Sequence, residues 1–331
     1  MKKNYRGTGD NDNLATNSFG YRSPEIPVKK PKDTIRILCL GDSITFGWNY
    51  KSEEIYPARL EARLNRNIKQ YRFDVINTGV PGNCAFQEYY DLKRALKFSP
   101  DIVIIQYTLN DITEPYVVFK RYGGLGIDYH GVEDILYIDY ILSRYSSLYS
   151  FLKDMFARLR SPARGQAALR NKIRKDEIYN ALNLVYKPDD PNLKKAWAEC
   201  LRWMQKEVDI CRAQGLECIV LISPFSFQIF EDETMAIPQN IVIAFALKNG
   251  IQYIDLLPIF REKIREKIIA KYSLLHETKY ADLVSAHKAD IKEGLKDYLE
   301  DHNHFNAEGH AFVADIIYEE VYEILKRKGL I

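Results

Sequence analysis

Little in this chain points to a metal, a membrane span or a nucleic acid. Only six of its 331 residues are histidine and five are cysteine. The cysteines, Cys39, Cys84, Cys200, Cys211 and Cys218, form no CxxC pair and show no zinc-ligand spacing with the histidines, so no metal or other cofactor is expected. Their odd number argues against a complete disulfide framework. The formal net charge is +2, from 47 basic and 45 acidic residues. That balance gives no broad cationic field, so a nucleic-acid partner is not expected. No apolar run reaches the roughly 18 residues that a membrane-spanning helix needs. The opening "MKKNYRGTGDNDNLATN" also lacks the apolar centre of a signal peptide. The chain reads as soluble, with the compartment left open between the cytoplasm and export or anchoring by a segment trimmed from the chain as given.

What is present is ordinary globular composition, 46% hydrophobic, enough for one large core or one core plus a small subdomain. Residues 1–32 are polar and rich in Asn, Gly, Lys and Pro, and read as an extended arm. A single domain is expected over 33–331. Within it, short apolar runs recur: "IRILCLGD" from Ile35, "FDVINTG" from Phe73, "DIVIIQYTLND" from Asp101, "ECIVLISPF" from Glu217 and "IQYIDLLP" from Ile251. Each has the length of a strand buried on both faces. Helical periodicity fills the intervals, with Gly215 and Gly250 where C-caps belong. Strand and helix alternating in this way predict right-handed crossovers and a parallel sheet with helices on both faces. The rhythm breaks at about 113–187, where a long helical insertion is expected to form a lid or wall. Tyr145, Tyr149 and Phe156 lie in it at helical spacing, as core packing or as a substrate-facing stripe. A second irregular stretch, "LLHETKYADLVSAHKADIKEGLKDYLEDHNHFN", precedes the last helix.

Ligands of an open parallel sheet bind at the carboxyl ends of its strands. Those ends carry Gly41-Asp42-Ser43 after the first strand, "NTGVPGN" with Gly79 and Gly82 after the second, "TLND" with Asn110 after the third, and "DHNH" with Asp301 and His304 near the end of the chain. Acyl transfer needs a hydroxyl that attacks, a base for its proton, a partner for the base, and donors for the oxyanion. Ser43 is the candidate nucleophile, His304 the candidate base, and Asp301 the candidate orienter of its Nδ1–H. The Ser43 N–H, the Gly82 N–H and the Asn110 side-chain amide are the candidate oxyanion donors. Each also has a plain structural reading: an N-cap serine, a core histidine, a turn glycine, a strand-end asparagine.

The segments "LGDSITFG", "GVPGN", "LND" and "DHNH" resemble, in order and spacing, the four sequence blocks of the SGNH (GDSL-type) hydrolase superfamily, over roughly Ile35 to His310. The resemblance implies a flavodoxin-like three-layer α/β/α sandwich with a mostly five-stranded parallel sheet. It also implies metal-independent ester hydrolysis by Ser43, His304 and Asp301, with Ser43, Gly82 and Asn110 as oxyanion donors. "NSFGYRSPE" is similar to what precedes the first strand in some bacterial members, several of them exported or membrane-anchored. Three departures stand out. Ile44 replaces a common Leu, "TLND" lacks the Gly-rich lead of "GGND", and "DHNH" offers two histidines, of which spacing favours His304 over His302.

A Thr45 in place of the second glycine rules out the G-x-S-x-G elbow of α/β-hydrolases. The rival readings are an O-acyltransferase on the same fold, a metal-dependent phosphoesterase using Asp42, Asp301, His302 and His304, and an inactive binding module. A Tyr-rich chain without a long apolar cap points to a short-chain or carbohydrate acyl ester as the substrate.

Overall fold

The computed structural model describes residues 3–7, 14–113, 178–231 and 233–331, with short pieces at 117–119, 127–129, 142, 146, 148, 149, 152 and 155. The strands are β1 (Thr34–Leu40), β2 (Arg72–Asn77), β3 (Ile102–Tyr107), β4 (Val117–Phe119), β5 (Ile127–Tyr129), β6 (Glu217–Ile222) and β7 (Gln252–Asp255). The helices are α1 (Ser43–Phe46), α2 (Tyr56–Asn67), α3 (Ala85–Ala95), α4 (Asn110–Thr113), α5 (Pro191–Ala213), α6 (Ser226–Ile229), α7 (Ile237–Asn249), α8 (Leu256–Tyr272), α9 (Tyr280–Leu295) and α10 (Ala307–Arg327).

Five strands form one sheet in the order β2-β1-β3-β6-β7, every neighbouring pair parallel. Leaving out the β4–β5 antiparallel hairpin, this is the doubly wound order of flavodoxin-like folds. All seven residues of β1 are buried, which is why the run is apolar throughout rather than alternating. Ile35, Ile37 and Cys39 face a core shared with α2, α8, α9 and α10. Leu38 and Leu40 face the other layer, where α3 and α7 pack. α2 contributes Tyr56, Leu60 and Leu64, one stripe at helical spacing. The five expected strands and the helices between them are observed.

The stretch read as irregular from Leu274 onward contains α9. Its buried residues are only Leu283, Ile291 and Leu295, and His287 breaks the helical backbone at φ −129°, ψ 28°. A kinked helix with three buried positions has no periodicity strong enough to recognise in sequence. The expected strand from Ile251 is also shorter, because the Asp255 carboxylate accepts the Leu257 N–H at 3.0 Å and starts α8.

Contacts divide the chain into two compact units, residues 1–108 with 203–331, and residues 109–202. The second holds α4, the β4–β5 hairpin and a helical stretch at 178–186. Most of the insertion expected at 113–187, including Tyr145 and Phe156, lies outside the described residues; Tyr149 is half-buried in a helical turn.

The exposed edge of β2 is closed by side chains. Phe73 N donates to Asn65 Oδ1 (3.0 Å), Val75 N to Glu61 Oε2 (2.7 Å) and Asn77 N to Ser23 Oγ (2.8 Å). No ladder of free donors remains at these positions to recruit another strand.

Arg36, in the middle of β1, is fully buried. Its guanidinium donates to Asp74 Oδ2 (3.1 Å), Phe98 O (2.7 Å), Pro27 O (2.7 Å) and Val28 O (3.1 Å), so it ties the arm before β1 to the sheet. Removing one partner of a buried ion pair strands the other. Arg36→Met is therefore expected to lower unfolding free energy by about 3–5 kcal/mol, read as a fall in the urea midpoint at unchanged slope. Arg72 also reaches Asp74 (3.1 Å), but its side chain is 71% exposed. Arg72→Met is expected to cost less than about 1 kcal/mol.

Candidate active site

β1 ends at Leu40, and Gly41 turns the chain with φ +151°. A side chain there would place its Cβ 2.2 Å from Thr45 Oγ1 and 2.6 Å from Gln106 Oε1, so only glycine fits. Asp42 follows, almost wholly buried, and its Oδ1 accepts the Ile44 N–H at 2.8 Å. That cap starts α1, a single turn with Ser43 as its first residue. Behind it, the Thr45 hydroxyl lies within hydrogen-bond distance of Tyr56 Oη (2.9 Å), Gln106 Oε1 (3.1 Å) and Leu40 O (3.3 Å). Gly79 presses on the same turn, where a Cβ would meet Phe46 N at 2.6 Å. The Asn77 amide donates to Thr45 O and its oxygen accepts from Gly79 N, locking this loop to the turn.

Ser43 Oγ lies 2.8 Å from His304 Nε2. On the far side of the ring, His304 Nδ1 is 3.0 and 3.1 Å from the two oxygens of Asp301. Asp301 Oδ1 also accepts the backbone N–H groups of Asn303 (3.1 Å) and His304 (3.0 Å). An acceptor-only carboxylate fixes the ring's proton on Nδ1 and leaves Nε2 as acceptor for the Ser43 hydroxyl. Burial pushes the Asp301 carboxyl up, but the side-chain hydrogen bond and charge of His304, its backbone N–H and His302 hold it well below the usual carboxylate range. Its side chain is 8% exposed and that of His304 is 27% exposed. The imidazole is therefore reached by solvent and the acid is not.

The loop bearing these residues is clamped at both ends. Glu300 N donates to His304 O (2.9 Å), Ser226 N to His302 O (2.7 Å) and Asn306 N to Tyr298 O (2.9 Å). Phe305 is buried and stacks on Phe260 at 5.9 Å. Asn306 Oδ1 caps α10 by accepting the Gly309 N–H. His302 sits differently: its Nδ1 is 3.7 Å from Asp301, and its ring packs 5.3 Å from Phe225.

Gly82 has φ +76° and open space where a side chain would point. Its loop is joined to the Ser43 loop by Val80 N donating to Gly41 O at 3.1 Å. Asn110 is buried and opens α4 in the second unit. Among the described residues, no three His, Cys, Asp or Glu side chains are grouped to hold a metal ion, and no helix is long and apolar enough to cross a membrane.

The sequence reading missed three residues around the turn: Arg22, Asn77 and His310. Asn77 ends a strand run and Arg22 lies in the noted "NSFGYRSPE", so each had a position but no chemistry to flag it. His310 is 1% exposed, and its Nδ1 accepts Tyr56 N at 3.3 Å. Burial, helped by the positive charge of Arg22, Arg59 and His304, lowers its pKa to about 3.

One curated relative, an acetylxylan esterase of Xylanibacter ruminicola, is 33% identical over 90 residues, which are 26% of this chain and 18% of that protein. The match thus spans under a fifth of that relative's length. Among solved structures, the acetyl xylan esterase AlAXEase aligns with a TM-score of 0.47 and 14% identity, over 87% of this chain and all of that one. Axe2, an acetylxylan esterase from Geobacillus stearothermophilus, aligns with a TM-score of 0.45 and 14% identity, over 88% and 96%. The sequence profile of the GDSL-like lipase/acylhydrolase family matches residues 39–312. By that match, which runs from the end of β1 into α10, the chain belongs to the GDSL-like lipase/acylhydrolase family.

Proposed function

We propose that this chain is a serine esterase that hydrolyses a short-chain or carbohydrate O-acyl ester through Ser43, His304 and Asp301. The observation that carries the reading is the continuous hydrogen-bonded line from Ser43 Oγ through both ring nitrogens of His304 to the Asp301 carboxylate. In the proposed reaction, His304 Nε2 takes the hydroxyl proton as Ser43 Oγ attacks the ester carbonyl. Asp301, already ionised, stabilises the imidazolium that forms. The Ser43 and Gly82 N–H groups and the Asn110 amide are the proposed donors to the tetrahedral oxyanion; each such donor is typically worth about 2.7–4 kcal/mol. His304 then returns the proton to the leaving alcohol, and water, activated by the same ring, releases the acid from Ser43. Family membership and the resemblance to a named acetylxylan esterase support an acetyl group on a sugar as the ester.

The expected kinetics follow from residues acting as one unit. Ser43→Ala and His304→Ala should each lower kcat on p-nitrophenyl acetate by at least about 10⁴-fold, and the double variant should lose little more. Asp301→Asn should cost about 10³- to 10⁴-fold, less than either. An active His304→Ala beside a dead His302→Ala would overturn the assignment of the base.

The pH profile has a defined sign. A folded-state carboxyl held below its unfolded value, about 3.9 for Asp, lends stability above that value and loses it only as pH falls through the lower, folded one. Asp301 therefore stays ionised throughout the neutral and mildly acidic range. An acid limb of kcat/KM between about pH 5 and 8 belongs to an imidazole, about 6.5 when unperturbed, and activity falls on acidification. A limb that persists unchanged in Asp301→Asn, whose ring has lost its anionic partner, would contradict this linkage.

Two further readings separate the rivals. Turnover of p-nitrophenyl acetate should survive prolonged EDTA treatment, and acetyl should be hydrolysed faster than octanoyl. Loss in EDTA restored by added divalent metal would favour the phosphoesterase class, and preference for octanoyl would remove the short-chain assignment.

A further inference from the structure

α1 is a single turn, too short to stabilise itself, and a helix end leaves its last carbonyls without intrahelical donors. Ser43 O receives Gly47 N at 2.9 Å, and Thr45 O receives the Asn77 amide at 2.8 Å. The next two carbonyls, Phe46 O and Gly47 O, are met by one side chain from far away in sequence. Arg22, in the arm before β1, donates from Nη1 to Phe46 O (2.8 Å) and to Gly47 O, and from Nη2 to Tyr50 O. Its guanidinium lies over the Phe46 ring, 4.9 Å from the centroid, and the residue is 2% exposed.

Arg22 is itself held in place. Asn17 Oδ1 accepts Phe19 N and Tyr21 N, both at 3.0 Å, which folds the arm into a compact turn immediately before it. On its other side, Ser23 Oγ accepts Asn77 N at 2.8 Å. The arm is thus fastened to the end of β2, and Asn77 itself reaches Thr45 O. Burial lowers the Arg22 pKa to about 10, with Glu53 working in the opposite direction, so the group remains cationic at neutral pH.

We propose that Arg22 is a positioning residue for the reaction, gripping the far end of the α1 turn so that Ser43 Oγ is held in reach of His304. This rests on the reading of Ser43 and His304 as nucleophile and base. The lever is short: Gly47, whose carbonyl Arg22 holds, donates its N–H to Ser43 O, so a slip at one end of the turn is transmitted to the other. The planar fork spans three carbonyls at fixed separation, which the single ammonium of lysine cannot reproduce. Small displacements of a nucleophile weigh on the chemical step rather than on ester binding.

The test uses the full chain carrying Arg22→Ala or Arg22→Lys, with p-nitrophenyl acetate turnover and the rate at which a fluorophosphonate labels Ser43. Both variants are expected to lose about 10- to 100-fold in kcat and in labelling rate, with KM within about twofold of native. Guanidinium chloride below denaturing concentration should restore part of the loss in Arg22→Ala, where it can refill the vacated space, and none in Arg22→Lys. Arg22→Lys keeps charge and most of the bulk, so it reports even if Arg22→Ala does not fold. A folded Arg22→Lys with kcat and labelling within about threefold of native overturns the proposal, as does a loss confined to KM. Native turnover that persists in Ser43→Ala would instead overturn the esterase reading itself, a result independent of either Arg22 variant.

Discussion

One hydrogen bond joins two parts of the chain 261 residues apart: Ser43 Oγ to His304 Nε2, at 2.8 Å. Neither loop can set that distance alone, because each is a short irregular turn. What sets it is the pair of helices that the two loops feed. α2 begins at Tyr56, after the segment 47–55 that follows the Ser43 turn, α10 begins just after His304, and the two pack side by side. His310, on the first turns of α10, accepts the N-terminal Tyr56 N–H of α2. Arg63 of α2 pairs with Asp315 and reaches Glu319 at 3.7 Å, and its guanidinium covers the Tyr318 ring. The polar contacts fix axial register, and the apolar stripes of Leu60, Leu64, Ile317 and Val321 fix the separation. The segments that carry serine and histidine thus lead into a helix pair whose mutual position is decided by burial.

The parallel sheet supplies the other half of that constraint. Pairing β1 between β2 and β3 delivers the ends of all three strands to one edge, so Gly41, Asn77 and Gln106 become neighbours. Their side chains and the tight glycines then shape a turn that could not persist by its own hydrogen bonds. Gly41 matters there because the Thr45 and Gln106 side chains, and Gly79 because the backbone at Thr45 and Phe46, come closer than any Cβ permits. Local strain and close approach are tolerated because the strands on which they rest are buried on both faces.

Legibility in the sequence divides along the same line. The strands are visible because burial on both faces makes a run apolar, and the candidate site residues stand out because the proposed chemistry needs particular side chains at strand ends. The exceptions are instructive. Arg36 lies inside the apolar run "TIRILCL" and is buried there, held by Asp74 and Phe98, remote in sequence, and by two carbonyls of the arm. Arg22 likewise takes its meaning from the carbonyls of residues 46 to 50, contacts that no local pattern encodes. α9 was missed for a different reason, since three buried positions and a kink at His287 leave no stripe to count. Backbone carbonyls carry no sequence signature, so side chains whose task is to satisfy them are the hardest to read in advance.

Three histidines within nine residues show how environment, rather than residue type, divides labour. His310 is enclosed beneath the Ser43 turn, and burial with nearby positive charge drives its pKa to about 3. It is therefore neutral at every physiological pH and serves as a constant acceptor for Tyr56 N. His302 is buried against Phe225 and faces Asp301 only at 3.7 Å. His304 alone has the carboxylate on one nitrogen and a hydroxyl on the other, with its ring partly open to solvent. A base must gain a proton and give it back within one turnover, which requires an anion to steady the cation and a path for the proton to leave. His310 has neither, since its neighbours are cationic and it is sealed in. An imidazole without such a partner would be inert as a base; the carboxylate of Asp301, kept ionised by the very ring it orients, is what makes His304 the base in the proposed reaction.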